Sequence, residues 1–178
     1  MWCKIRQVFS WLLLLGAVVL LALLASGIVS IEPAAADIRT AQVTPEQVFV
    51  KSFHSLRDRS GNSWQVVFYK EINQGQVKNV NLRVVGFPEL EAFQHPAPLL
   101  ITTKNGSSWQ AEDVFADGAP VENIGQYDLR DLIFQLPTNT KLLLWPQVTG
   151  GRTVTLPVPQ PVVKEWQTVA SQEPSVID

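Results

Sequence analysis

Cysteine and histidine are scarce in this chain of 178 residues, and their scarcity excludes several kinds of chemistry. The one cysteine, Cys3, precedes a hydrophobic segment and has no second cysteine with which to form a disulfide within the chain. The two histidines, His54 and His95, lack the close spacing of zinc and copper ligands. No Gly-x-Ser-x-Gly motif occurs, and the region after Cys3 has no thiol nucleophile. We therefore predict no metal, no cofactor and no catalytic triad.

Charge is also low and evenly spread along the chain. Charged residues make up 17% of the sequence, and the formal net charge is -2. A domain that binds a phosphate backbone carries a concentrated basic patch, and no such run of lysine and arginine occurs here. The sequence therefore predicts that nucleic acid is not a partner.

The chain begins with a long hydrophobic segment. Lys4 and Arg6 precede it, and no charged residue occurs from Val8 to Ile31. A segment of this length could cross a bilayer with its basic end in the cytoplasm, which makes an uncleaved membrane anchor one interpretation. In that case the chain would contact the membrane only through this segment.

Small residues follow the hydrophobic segment and favour a different interpretation. Ala34 and Ala36 stand just before Asp37, in the small-x-small pattern that signal peptidases recognise. We predict that residues 1–36 are a signal peptide and that residues 37–178 are a single exported β-rich domain. Both interpretations bring the domain to the far side of the membrane.

The exported region is rich in patterns typical of β-strands. Val80, Leu82 and Val84 alternate with polar residues, which places apolar side chains on one face of a strand. The similar segments Leu56–Gln65 and Ile101–Gln110 each contain a glycine turn followed by Trp-Gln, and this pattern predicts a β-hairpin. A third hairpin is predicted where Val148–Gly151 joins the two apolar runs on either side. Residues 38–47 are interpreted as a polar lead-in.

Two short helices are expected among the strands. Leu129, Leu132, Ile133 and Leu136 follow helical spacing, with Asp128 placed to cap the first turn. A C-terminal helix beginning near Pro161 would carry an apolar stripe that includes residues 162, 163 and 166. The predicted fold is therefore mainly β: an antiparallel β-sandwich, or a partly open barrel, with a short connecting helix and a C-terminal helix.

Aromatic side chains supply the candidate binding residues. Trp64 shares a strand face with apolar residues and Trp166 belongs to the helix stripe, so both are expected in the core. Trp109 is expected to be the more exposed aromatic, and Trp145 ends a strand where it could contact a ligand or a partner. With a histidine and a tyrosine from other predicted loops and strands, the candidate set is Trp109, Trp145, His95 and Tyr127.

The two histidines are expected to play different parts. His54 is in phase with Val50 and Leu56 on a predicted strand, which indicates a hydrogen-bonded structural role. His95 precedes a proline in a loop, where a solvent-exposed position is expected. The acidic loop of residues 112–122 does not have the spacing of an EF-hand, and we interpret it as a solvated loop.

Several motifs together resemble a known family. They are Leu56-x-Asp58-x-x-Gly61-x-x-Trp64-Gln65, Leu82-Arg83-Val84-Val85-Gly86-Phe87-Pro88, His95-Pro96-x-Pro98-Leu99, Gln126-Tyr127-Asp128-Leu129, and Leu156-Pro157-Val158-Pro159 followed by Glu165-Trp166. The chain resembles a cyanobacterial family of small exported proteins that is catalogued only as a domain of unknown function. The resemblance implies a thylakoid-lumenal or periplasmic location and brings no catalytic residues.

These observations favour a non-enzymatic binding or assembly module that serves a protein partner, such as a membrane protein complex. β-Sandwiches often present surfaces to partners, and the sequence contains none of the catalytic motifs considered above. Two alternatives remain open at this point. One is a carboxylate-based hydrolase acting on carbohydrate, with its pair of carboxylates drawn from Glu89, Glu91, Glu112 and Asp113. The other is a small-ligand binder with a pocket between the sheets.

Export can be tested on the protein recovered from its native host. We expect a lumenal or periplasmic fraction to contain a chain that begins at Asp37, and intact mass spectrometry would identify that N-terminus. A full-length chain in membranes would contradict cleavage alone, whereas a full-length chain in the cytosol would contradict export.

Overall fold

The computed structural model describes residues 11, 13–16, 38–44, 46–89 and 91–173. Among these residues, no helix is both long enough and apolar enough to cross a membrane. The proposed cleavage point between Ala36 and Asp37 lies outside the described residues.

The described residues form two antiparallel sheets and a C-terminal helix, as the sequence predicted. One sheet has five strands in the order β1-β2-β3-β4-β7, and the other has four in the order β6-β5-β8-β9. Within the described residues the sheets do not close into a barrel. The elements are β1 (Ile38–Thr44), β2 (Gln47–Arg57), β3 (Ser63–Asn73), β4 (Gln76–Val85), β5 (Leu99–Thr103), β6 (Ser108–Ala111), β7 (Ile124–Asp128), β8 (Leu142–Trp145), β9 (Leu156–Val158) and α1 (Gln160–Ser171).

β3 is the central strand of the five-stranded sheet, and burial alternates strictly along it. Trp64, Val66 and Phe68 are buried, whereas the residues between them are exposed or half-buried. The strand pairs along its whole length with β2 and nearly its whole length with β4. Since alternate side chains point to opposite faces, one face of this sheet is apolar and must be covered.

The turn between β2 and β3 is held by the carboxylate of Asp58. Its oxygens accept hydrogen bonds from the backbone N–H groups of Ser60 and Asn62 at 2.8 and 2.9 Å, and from the Trp64 indole N–H at 3.1 Å. Gly61 adopts a positive φ of 87°, which a residue without a Cβ tolerates. The Asp-x-x-Gly-x-x-Trp motif is therefore a turn motif that also anchors a core tryptophan.

The four-stranded sheet contains the other two predicted hairpins. β5 and β6 pair as expected, with Ile101 opposite Trp109. β8 and β9 pair antiparallel, with Leu144 opposite Leu156, so β9 begins later in the chain than the hairpin pattern indicated. The connection between them contains a 3-10 turn over Thr149–Gly151.

Helix α1 packs against the apolar face of the five-stranded sheet. The Trp166 indole stacks on the ring of Phe68 with centroids 5.8 Å apart. His54 Nε2 lies 2.9 Å from a Glu165 carboxylate oxygen, which confirms that this histidine is hydrogen-bonded. At the other end of the helix, the buried Lys70 ammonium donates to the carbonyl oxygens of Ala170 and Gln172, both at 2.7 Å. A cation is favourable at a helix C-terminus because the last carbonyls carry partial negative charge.

Two sequence expectations require correction. The polar lead-in is in fact β1, which pairs with β2 from Ile38 to Thr44, because backbone hydrogen bonds can order a strand whose side chains are mostly exposed. The connecting helix is a run of turns, in which the N–H groups of Ile133 and Leu136 donate to the carbonyls of Leu129 and Leu132. Of its four named apolar side chains, Leu129, Ile133 and Leu136 are nevertheless buried as the spacing indicated, and Leu132 is half-buried.

Because of Asp58, the free energy of unfolding should depend on pH in the acidic range. Burial tends to raise the pKa of Asp58, but the hydrogen bonds from Trp64, Asn62 and Ser60 outweigh it and hold the pKa below its ordinary value of 3.8. The ionised form is thus favoured in the folded state, so its stabilising effect is complete above that value and is lost as the pH falls through the lower folded pKa.

We expect Asp58→Asn to lower the free energy of unfolding by about 1–3 kcal/mol at neutral pH, because a buried hydrogen-bond acceptor is replaced by an amide. The variant should also lose less of its remaining stability on acidification than the wild type. Urea unfolding at neutral and acidic pH would measure both effects, with the exposed Asp117→Asn as the matched control. Equal behaviour of the two variants would contradict this role for Asp58.

Candidate binding surface

His95 lies inside the fold and is not the exposed loop histidine that its sequence position indicated. Only 11% of its side chain is exposed, and Nδ1 lies 2.6 Å from a carboxylate oxygen of Asp113. The same oxygen accepts the backbone N–H of Ala97, and the other accepts the N–H of Phe115. One oxygen of Asp113 therefore joins the two loops, and the other holds a turn within the acidic segment itself.

Tyr127, another candidate from the sequence, is also enclosed. Its side chain is buried in β7, and burial, followed by the negative charge of Asp113, raises the pKa of the phenol well above its ordinary value. Gly125 makes room for it, since a Cβ there would lie 2.6 Å from the Tyr127 hydroxyl and from the Phe93 ring. Tyr127 and His95 thus lie beside the same carboxylate, but in the interior.

The tryptophans of the sheets and the C-terminal helix divide into two buried and two half-buried side chains. Trp64 and Trp166 are buried in the core. Trp109 is more exposed, although its ring still packs against the core from the edge strand β6. Trp145 is half-buried and lies at the end of β8. Trp109 and Trp145 face opposite sides of the four-stranded sheet, since Trp109 lies opposite the buried Ile101 and Trp145 opposite Leu100.

Trp145 belongs to an apolar patch on the outer face of the four-stranded sheet. The strand register puts Leu100 opposite Trp145, Thr102 opposite Leu143, and Leu143 opposite Pro157. Directly opposed residues share a face, so these five side chains are neighbours. We call this group the Trp145 patch: Leu100, Thr102, Leu143, Trp145 and Pro157.

The indole of Trp145 is held in one orientation. Its N–H donates to the hydroxyl of Thr102 at 2.9 Å, and the guanidinium carbon of Arg59 lies 6.0 Å from its ring centroid. Cation–π contact and a satisfied indole N–H both restrict the ring before any partner arrives. A fixed aromatic side chain loses little conformational entropy when it is covered.

Basic side chains flank the patch at both ends. Lys104 follows β5 and Lys141 precedes β8, and because Thr103 lies opposite Leu142, both lysines stand at the same end of the strand pair. Arg59 stands at the other end, over Trp145. The patch therefore combines an apolar centre with a basic rim.

Two clefts among the described residues are small. A cleft of about 250 Å³ adjoins Trp145 and is lined by Gln94 and the segment from 145 to 154. A second, of about 220 Å³, lies beside Trp64 and Phe87. Pockets for drug-sized ligands usually hold roughly 300–1,000 Å³. Neither cleft resembles a large pocket between sheets.

Of the four carboxylates named for hydrolysis, Glu91 and Asp113 are committed to other contacts, whereas Glu89 and Glu112 are exposed. Glu91 is buried and pairs with Arg152, while Asp113 serves the loops around His95. Glu112 is exposed, and its backbone carbonyl bonds to the N–H of Asp128 in β7. Among the described residues, no group of three or more histidine, cysteine, aspartate or glutamate side chains could hold a metal ion.

A row of aromatic and basic side chains on the five-stranded sheet was not identified from the sequence. The Lys51 ammonium lies 4.8 Å from the Phe49 ring centroid, and the Arg83 guanidinium carbon lies 5.8 Å from that of Tyr69. Since these residues come from three strands, only the strand register brings them together. The alternation of residues along each strand could have shown only that each of these side chains faces away from the core.

The comparison with known proteins identifies a family. The model of a family described as a protein of unknown function (DUF3122) matches residues 36–169, so the chain belongs to this family. No curated protein and no solved structure matches the chain.

The two classes of tryptophan should differ in their effect on stability. Trp64→Ala should lower the free energy of unfolding by roughly 3–5 kcal/mol, the usual loss for a buried aromatic side chain. Trp109→Ala should cost clearly less, because part of this ring remains exposed. Denaturant melts of the two variants test the difference, and equal losses would contradict the assignment of Trp109 to the more exposed class.

Proposed function

We propose that this member of the family is a non-enzymatic binding module that holds a protein partner on the lumenal or periplasmic side of a membrane. The observation that carries the proposal is the Trp145 patch, an apolar surface with a fixed tryptophan at its edge. A membrane protein complex is the kind of assembly that such a module would serve.

A protein partner fits this surface better than a small molecule does. Tryptophan is enriched among the residues that contribute most to protein–protein binding, especially when apolar neighbours exclude water around it. Leu100, Leu143 and Pro157 supply such neighbours. The adjacent cleft of about 250 Å³ is small for an independent ligand pocket, but it could accept one side chain of a partner.

The basic rim defines the chemistry of the partner. Arg59, Lys104 and Lys141 surround an apolar centre, so a complementary surface carries apolar side chains ringed by carboxylates. Electrostatic complementarity of this kind speeds association and disfavours basic partners. Binding should therefore weaken as the salt concentration rises.

The location rests on the N-terminal pattern and on the extent of the family match. The hydrophobic segment and the Ala34-x-Ala36 pattern predict export, and the matched region begins at residue 36, beside the predicted cleavage point. Such a boundary is expected when the folded domain is conserved as a unit and the export segment is separate from it.

Neither rival function has comparable support. A hydrolase would need two carboxylates that converge on a substrate site, whereas Glu91 and Asp113 are engaged with Arg152 and His95. A small-ligand binder would need a larger cavity than either of the two clefts described above.

Site-directed crosslinking would test the surface. A photoreactive phenylalanine analogue at Leu143, introduced in the native host, should crosslink an acidic partner protein, whereas the same analogue at Phe134 should not. Phe134 is a suitable control because it is 63% exposed and lies outside the patch.

The captured partner should then be purified and its affinity measured directly. We expect Trp145→Ala to weaken binding roughly 30-fold or more, as for an aromatic side chain that contributes strongly to an interface, while Phe134→Ala leaves it unchanged. A melting temperature for each variant separates loss of binding from loss of fold. Wild-type affinity in Trp145→Ala, or equal crosslinking from both positions, would contradict the proposal.

A further inference from the structure

The edge strands of the two sheets differ in how well they are protected from pairing with another strand. An exposed edge strand presents unpaired N–H and C=O groups that can pair with another strand, so folded proteins usually cover, shorten or interrupt such strands. The described residues contain four edges, formed by β1, β7, β6 and β9. Their protection can be compared strand by strand.

Three of these edges are protected by recognisable means. The β7 edge is covered by residues 112–114, because the N–H of Val114 donates to Gln126 and that of Asp128 donates to Glu112. β6 has only four residues. β9 has three, and its central residue is Pro157, which has no N–H to offer.

Among the described residues, the β1 edge lacks these forms of protection. β1 runs for seven residues from Ile38 to Thr44, contains neither proline nor lysine, and is exposed after its first residue. Its pairing with β2 is regular from Ile38 to Gln42, and the register shifts only between Gln42 and Thr44, next to the turn. Five residues therefore present a straight, unblocked edge within the described part of the chain.

We propose that β1 pairs antiparallel with β1 of a second copy of this chain, so that the two five-stranded sheets join across a two-fold axis. Symmetric pairing of the regular segment centres on Thr40, which then lies opposite Thr40 of the second copy. Arg39 lies opposite Ala41 of the other copy, and Ile38 opposite Gln42. This proposal depends on the β1 edge and is independent of the Trp145 patch.

The side chains of β1 suit this register. Threonine opposite threonine is a favourable cross-strand pair, and like charges directly opposite each other are unfavourable. The only charged residue of β1 is Arg39, and the register puts it beside a small neutral side chain. An isologous contact of this kind closes after two copies, which explains why an open edge need not lead to fibres.

The contact is short, so the dimer should be concentration-dependent. Joining two five-residue segments buries less than the roughly 1,200–2,000 Å² of a stable interface, and we expect a dissociation constant on the order of micromolar or weaker. The experiment uses the full chain, in detergent if the N-terminal segment is retained. Sedimentation velocity from about 1 to about 200 µM would bracket such an affinity.

Opposite charges at one position make the test specific. In the two-fold dimer, Ala41→Lys would place a lysine opposite Arg39 at two symmetric positions, and it should weaken dimerisation at least about tenfold. Ala41→Glu would place a carboxylate there and should strengthen dimerisation several-fold. Val77→Lys is the matched control, because Val77 is 42% exposed on β4 and is separated from β1 by β2 and β3. It should leave the dissociation constant unchanged.

The register can be tested by oxidation in a Cys3→Ser background. Thr40→Cys should form an intermolecular disulfide efficiently, because the two copies of this residue face each other, while Val77→Cys should not. A monomer throughout the concentration range would overturn the proposal. So would a dimer that Ala41→Lys and Ala41→Glu affect equally, or equal crosslinking of the two cysteine variants.

Discussion

The rest of the structure depends on covering one face of the five-stranded sheet. Every second residue of β3 from Trp64 to Ile72 is buried, and all of these except Lys70 are apolar. No single element covers that face along its whole length. Helix α1 covers one part through the stack of Trp166 on Phe68, and the four-stranded sheet covers another through its own buried strand faces. Because both covers lie on the same side, the opposite face of each sheet remains at the surface.

Polar contacts determine the position of helix α1 on the five-stranded sheet. Apolar packing alone would allow α1 to slide along the sheet, but Lys70 binds the carbonyls at its C-terminus and His54 binds Glu165 two turns earlier. Each contact is specific in direction, and each leaves a buried polar group unsatisfied if the helix shifts. The docking position of α1 is therefore determined by its two polar contacts as well as by its tryptophan.

Local patterns were sufficient for much of the fold. The glycine turns before Trp64 and Trp109 predicted two hairpins correctly, because a period of two and a turn residue act within about ten residues. β1 was missed because its side chains are mostly exposed and its order comes from backbone pairing with β2. The apolar residues at 129–136 have helical spacing, yet their side chains are buried without a regular helix.

The candidate site was less predictable, because its contacts join distant parts of the chain. Trp145 was identified as an aromatic residue at a strand end, but its hydrogen bond to Thr102 spans 43 residues and depends on the pairing of β5 with β8. His95 was expected at the surface because its partner, Asp113, is 18 residues away in another loop. Sequence patterns find residue types and faces, whereas strand register determines which side chains meet.

The surfaces of the molecule follow from the same register. The Trp145 patch lies on the outer face of one sheet, and the aromatic and basic row around Tyr69 lies on the outer face of the other. Pairing through β1 would extend the second sheet in its own plane, because strand addition continues hydrogen bonding at an edge and leaves both faces uncovered. The Trp145 patches of the two copies would then both remain accessible. A two-fold dimer would present two equivalent patches, and a partner with two matching surfaces would bind it more tightly than it binds one chain, since the second contact forms at a high effective concentration.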